Sequence, residues 1–132
     1  MAKYYEYTNP HPEDSKKVGD CTIRALCIAT GKDWLTVYDE LAALGREQLA
    51  PMTDMKTITA YMENIAEKVP AIVKKKRVTA NNLARLQQQA TDEHDSVHVI
   101  RTAHHLATVR DGKLRDTWDS SDRAGYIIWK IK

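Results

Sequence analysis

Apolar and polar positions divide the chain into two unlike parts. Up to about residue 90 the apolar residues recur at helical spacing. Ile23, Leu26 and Cys27 fall on one face of a helix from Cys21 to Thr30, with Asp20 placed to cap it and Gly31 to end it. Leu35, Tyr38, Leu41 and Ala42 predict a second helix from Asp33 to about Leu44, ahead of Gly45. Thr53 or Asp54 starts a third, carrying Met55, Ile58, Tyr61, Met62 and Ile65 as its buried stripe and ending near Lys68, before Pro70. Residues 71–78 read as a strand broken by Lys74, Lys75, Lys76 and Arg77, and Thr79 caps a fourth helix through Leu83, Leu86 and Ala90. From Ser96 the period shortens. Val97 and Val99, then 106–110, 113–118 and 125–131, read as consecutive strands of an antiparallel sheet. Helices followed by such a sheet predict an α+β fold. Ahead of both, Tyr4, Tyr5, Tyr7 and two prolines suggest an ordered but irregular arm packed on the domain.

The chain has 132 residues, 42% of them hydrophobic and 29% charged, which suits a single domain spanning 1–132. A net charge of +2 demands no polyanionic partner. Lys74 to Arg77 form the one basic run. No aromatic is interleaved with it, so it reads as a solvated segment rather than a nucleic-acid contact. No apolar run approaches the roughly 18 residues of a membrane span, and residues 1–10 lack a signal-peptide core, so a cytoplasmic protein without a membrane partner is expected. Cys21 and Cys27, six residues apart on one helix, have alpha carbons about 9 Å apart and are read as free thiols, Cys27 as core. There is no Cys-x-x-Cys pair, and His94, His98, His104 and His105 lack a thiolate at ligand spacing. Neither metal nor cofactor is assigned.

The sharpest signal is Asp111-Gly112, a two-residue turn of type I′ that sets a hairpin register. Arg110 then faces Lys113, Asp116 lies opposite Ala107, and Trp118 opposite His105. His105, Ala107, Val109, Leu114, Asp116 and Trp118 share an inward face. His104, Leu106, Thr108, Arg110, Lys113, Arg115, Thr117 and Asp119 share the other, which is the wetter one in sequence. His105 and Asp116 are diagonal neighbours, within reach of each other. A three-residue turn would swap the faces and put Asp119 in that place. An imidazole oriented by a carboxylate is the base a thiol nucleophile needs, and Cys21 stands in the first turn of a helix, where the dipole favours a thiolate. The Asp20 carboxylate beside it works in the opposite direction. Trp34 and Trp129 are read as core anchors.

Asp116-Thr-Trp118, followed by Gly125-Tyr126-Ile127-Ile128 and a terminal Lys, resembles the Asn-Ser-Trp and Gly-Tyr-Ile pattern of the papain-like cysteine peptidases. In that family a Cys at a helix start comes first, a strand His follows, and the next strand supplies an Asn or Asp with a shielding Trp two residues on. The resemblance implies Cys21 as nucleophile, His105 as base, Asp116 as its orienting partner and Trp118 as the shield. The Asp20-Cys21 pair and the short interval to His105 are more similar to the compact bacterial peptidases that cleave bacteriocin leaders. Small phage-encoded proteins carry similar Asp-Cys, Arg-Ala-Leu and Asp-Thr-Trp-Asp segments. Roughly residues 45–95 have no counterpart in the pattern. The family places a Gln six residues before the nucleophile to complete the oxyanion hole, whereas here that position is Ser15, leaving the Cys21 backbone N–H with Asn9 or Thr8 as other donors. What the resemblance implies is a thiol hydrolase cleaving an amide or isopeptide bond of a protein or peptide, with no cofactor. An acyl or glutaminyl transferase would use the same triad. A papain-like binding or inhibitor module would keep the fold without turnover.

Overall fold

The structure is a computed structural model that describes residues 4–13 and 18–132. It is α+β, with four helices and a mixed six-stranded sheet. Helix α1 (Cys21–Thr30) ends as expected: Gly31 takes φ 79° and donates its N–H to Cys27 O at 2.8 Å. Helix α2 (Trp34–Gln48) begins where Asp33 accepts from the Thr36 N–H at 2.8 Å, but continues through Gly45. Gly45 serves a close approach rather than a stop, because a Cβ there would lie 2.8 Å from Ala50 O. The buried face of α2 is Val37, Leu41 and Gly45, and the expected stripe is off by part of a turn, with Leu35 61% exposed. Tyr38 is displaced outward to stack on Trp34 at 5.5 Å, and Trp34 is only partly buried.

Helix α3 (Met55–Ile65) starts at Asp54, whose carboxylate accepts from Lys56 N–H at 2.9 Å, and buries Ile58, Tyr61 and Met62 as the period requires. It stops three residues earlier than its sequence suggests. Residues Ala66–Val69 form strand β2 instead, because antiparallel pairing with the last strand, Ala66 to Ile131 through Val69 to Ile128, satisfies their backbone groups. Residues 71–78 are likewise not one strand. Ile72–Val73 (β3) and Lys76–Arg77 (β4) form a minimal hairpin turned at Lys74 (φ 52°) and Lys75 (φ 67°). Helix α4 (Ala80–Gln89) opens on a reciprocal capping box between Thr79 and Asn82 and buries Leu83, Ala84 and Gln87, while Leu86 is 41% exposed. A short 3-10 turn, Thr91–Glu93, leads to the sheet.

Strands β5 (Val97–Thr102), β6 (His105–Arg110), β7 (Lys113–Asp116) and β8 (Ile127–Ile131) join β2 and β1 (Tyr5–Tyr7) in the order β1-β7-β6-β5-β8-β2. The amino-terminal arm is thus in part regular. Tyr5 to Tyr7 pair in parallel with Leu114 to Asp116, which makes the sheet mixed rather than purely antiparallel. The Asp-Gly turn is present, with φ 55° at Asp111 and 72° at Gly112, and it gives the expected pairs Arg110–Lys113, Val109–Leu114 and Thr108–Arg115.

Both sheet faces are covered. Ala25, Leu26, Val37, Leu41, Ile58 and Met62 pack on Val99, Leu106 and Trp129 of one face; Ala80, Leu83 and Ala84 pack on Ile100, Ala107, Val109, Leu114 and Ile128 of the other. The face expected to be wet is therefore dry at Leu106 and Thr108, which are fully buried. The reason is α1, which runs parallel to β6 over that face: Thr108 Oγ1 donates to Ala25 O at 2.5 Å, and Arg110 Nη1 donates to Ile28 O at 2.9 Å. A polar side chain that satisfies a helix carbonyl reads as solvent-facing in sequence. Each fully buried Leu contributes about 1.5–3 kcal/mol to this two-sided core. Among the described residues no helix is long and apolar enough to cross a membrane.

Gly112 sets the register that carries the site. Gly112→Ala places a Cβ at φ +72° and 2.5 Å from Gln88 Cγ, a flexible side chain that can give way. The left-handed strain remains, so the variant is expected to lose about 1–2 kcal/mol in denaturant unfolding; wild-type stability would show that the turn is not a constraint.

Candidate active site

Three elements bring the candidate residues together. His105 is the first residue of β6 and Asp116 the last of β7, so both lie at the end of the hairpin away from the Asp111-Gly112 turn. Because α1 runs parallel to β6, its first residue, Cys21, arrives at that same end. His105 Nε2 and Asp116 Oδ2 are 2.6 Å apart, both buried. That bond occupies Nε2 and leaves Nδ1 as the ring nitrogen available to the half-buried Cys21 thiol, whose ionisation His105 favours. The Trp118 ring lies 4.8 Å from the imidazole, tilted by 47° and 41% exposed, so it forms one wall between the pair and solvent.

Asp116 is held from every side. Its Oδ1 accepts from the Thr117 N–H at 2.7 Å and from Arg24 Nη2 at 3.1 Å. Its backbone carbonyl accepts from the Tyr5 hydroxyl at 3.1 Å and from Thr8 N–H at 2.9 Å. Arg24 is the residue that sequence reasoning passed over. Its buried guanidinium bridges Asp116 on the sheet to Asp20 at the start of α1, and Asp20 Oδ2 also accepts from the Trp34 indole N–H at 2.9 Å. Asp20 therefore occupies the capping position without capping: its side chain bonds Arg24 and Trp34, not the helix N–H groups. The signal for Arg24 was present, as an acid and a base four apart on a helix whose other residues are core.

The electrostatics follow from these contacts. Burial would lower the His105 pKa, but the hydrogen bonds to Asp116 and Cys21 and the charges of both outweigh it and push the imidazole up to about 9. Burial likewise disfavours the Cys21 thiolate, yet the bonds from His105 and the Leu106 backbone, with the positive charges of His105 and Arg24, leave its pKa below the ordinary thiol value. Asp20, expected to oppose the thiolate, has its charge matched by Arg24. Cys27 is the opposite case: burial, with Asp33 and Asp20 nearby, pushes it up to about 11.

The remaining candidates separate from this cluster. Asp119 is exposed and accepts from Ser121 N–H at 3.0 Å, so the two-residue turn and Asp116, not Asp119, stand beside His105. Ser15 lies outside the described residues. Asn9 Oδ1 accepts from His11 N–H at 3.1 Å, and the Thr8 hydroxyl donates to Glu6 O at 3.1 Å, so both have local roles in the arm. His104 is the exposed turn residue between β5 and β6, at φ 54°. His94 and His98 turn to different partners, Gln88 O and Gln87 Nε2. Comparison with known proteins finds no family model, no curated protein and no solved structure that matches this chain.

With iodoacetamide near neutral pH, Cys21 is expected to alkylate far faster than Cys27, and His105→Ala to remove that advantage. Equal rates for the two thiols, or an unchanged rate in the variant, would break the thiol–imidazole pairing. Arg24→Met leaves Asp20 and Asp116 without their shared cation and is expected to cost about 3–5 kcal/mol in denaturant unfolding. A loss below about 1 kcal/mol would mean that the bridge is solvated and carries little of the site.

Proposed function

We propose that this chain is a thiol hydrolase of papain-like design that cleaves an amide or isopeptide bond of a protein or peptide substrate. The observation that carries this reading is one imidazole bonded to a buried carboxylate and coupled electrostatically to a thiol at a helix start. The order Cys, His, Asp along the chain, and the Trp ring against the His, agree with the resemblance of the Asp116-Thr-Trp118 segment to that family. The packing of a Cys-bearing helix along an antiparallel hairpin supports the same design.

In this reading His105 takes the Cys21 proton, and the thiolate and imidazolium persist as a pair. The thiolate sulfur attacks the substrate carbonyl carbon, forming a C–S bond and a tetrahedral oxyanion beside the free N–H groups of the first turn of α1. His105 then gives its proton to the leaving nitrogen as the C–N bond breaks, leaving a thioester. A water that loses its proton to His105 attacks that thioester, the C–S bond breaks, and the acid product leaves as the thiol is restored. Asp116 holds the ring in orientation throughout, and Trp118 excludes water from one side.

Turnover of a peptide library, read by mass spectrometry in heavy-oxygen water, is expected to put label in the new carboxyl group. Cys21→Ala should lower it by more than about a thousandfold without unfolding the protein. Acyl transfer to an added amine in place of water would assign the chain as a transferase. Cleavage that survives Cys21→Ala would remove the proposal. The pH profile has a determined sign: activity rises as the Cys21 thiolate forms, below the ordinary thiol range, and falls as His105 loses its proton through about 9. A plateau continuing well above that point would mean that His105 is not the proton donor to the leaving group.

A further inference from the structure

A cavity of about 590 Å³ opens on the α4 side of the sheet, between the β3–β4 hairpin, α4 and strand β8. None of the candidate catalytic residues lines it. Its walls are apolar: Val69, Val73, Val78, Leu83 and Leu86, of which Val73 is 51% and Leu86 41% exposed. Four cations, Lys74, Lys76, Arg77 and Lys130, line the same space against one carboxylate, Glu93. Two of the four are engaged, Lys130 with Glu93 at 3.1 Å and Arg77 with Gly125 O at 3.2 Å. Among the described residues Lys74 and Lys76 have no carboxylate partner.

His98 also lines the cavity, and its tautomer is set from behind by Gln87. Gln87 Oε1 accepts from the Gly112 N–H, so its Nε2 is the donor, both to Val109 O and to His98 Nδ1 at 2.9 Å. His98 is thereby fixed with its proton on Nε2, and burial keeps the ring neutral. Apolar walls, a neutral His98 and unpaired ammonium groups at the lining match a molecule with an apolar body and an anionic head, and the volume is that of a small-molecule site. The hairpin tip adds to the match. Lys74 and Lys75 both adopt left-handed conformations, which cost about 1–2 kcal/mol each where Asn or Gly would cost less, and of the two Lys74 lines the cavity.

We propose that this cavity binds a small amphiphilic carboxylate, its apolar chain against Val73, Leu83 and Leu86 and its head group on Lys74 and Lys76. The assignment is independent of the Cys21 chemistry. Decanoate is the probe, titrated into the isotope-labelled full chain and followed by amide chemical shifts. Saturable shifts clustered at Val73, Leu86 and His98 are expected, with a dissociation constant on the order of 1 mM or tighter. Decanol and decyltrimethylammonium, which keep the chain and change the head, should bind about tenfold more weakly, as should decanoate to the Lys74→Glu, Lys76→Glu double variant. Shifts scattered over the surface, equal binding of decyltrimethylammonium, or no effect of the charge reversal would each overturn the proposal. Sedimentation with anionic vesicles in the absence of saturable decanoate shifts would also overturn it, and would make the hairpin a lipid-surface contact instead.

Discussion

The buried guanidinium of Arg24 is the interaction on which the rest of the structure turns. It lies between Asp20, at the head of α1, and Asp116, at the end of β7, and so fastens a helix to a strand 92 residues away in the chain. Two carboxylates against one guanidinium leave this cluster with an excess negative charge. Transfer of a proton from Cys21 to His105 does not change that total. Burial lowers the His105 pKa, but its bond to Asp116, its interaction with Cys21 and the charges of both outweigh that and push the imidazole up to about 9. Removing a charged partner from such a cluster costs more than the pair was worth in isolation, because the remaining ions are left in a poor solvent.

Geometry and electrostatics share one cause here, the direction of α1 along β6. Thr108 and Arg110 bond helix carbonyls three residues apart, Ala25 and Ile28, which holds the two elements parallel. A helix laid in the other direction would bring its negative end to His105 and disfavour a thiolate there. On the outer side β1 completes the support, since Tyr7 pairs with Asp116 and the Tyr5 hydroxyl bonds the same carbonyl. The carboxylate that orients the imidazole is thus fixed through its backbone as firmly as through its side chain.

The sequence was informative where the determinants are local. Asp33, Asp54 and Thr79 mark helix starts through bonds to residues two or three further on, and Asp111-Gly112 determines its hairpin through backbone angles alone. From that turn the diagonal meeting of His105 and Asp116 followed by counting. Determinants that lie across the fold were not legible. Residues 66–68 read as helix until β8 offers them a pairing partner, and Thr108 reads as wet until the Ala25 carbonyl is placed over it. Leu35 and Tyr38 continue an apolar period that the core does not use, because the face of α2 that packs inward is Val37, Leu41 and Gly45. Arg24 was opaque for the same reason: half of its function lies in Asp116.

The sheet also separates two kinds of chemistry along a single strand. In the β5–β6 ladder, Thr102 pairs with His105 at one end, while His98 pairs with Val109 near the other. Four residues of extended chain put about 13 Å between these two positions. The His98 ring, neutral and bonded to Gln87, cannot pass a charge along β5 to the imidazole at its far end. No side chain that lines the basic cavity belongs to the Cys21–His105–Asp116 cluster. Perturbations this far apart with no shared partner combine additively. An anion held on the lysines of the hairpin would therefore leave the thiol–imidazole pair as it is, and the two features stand on separate physical grounds within one core.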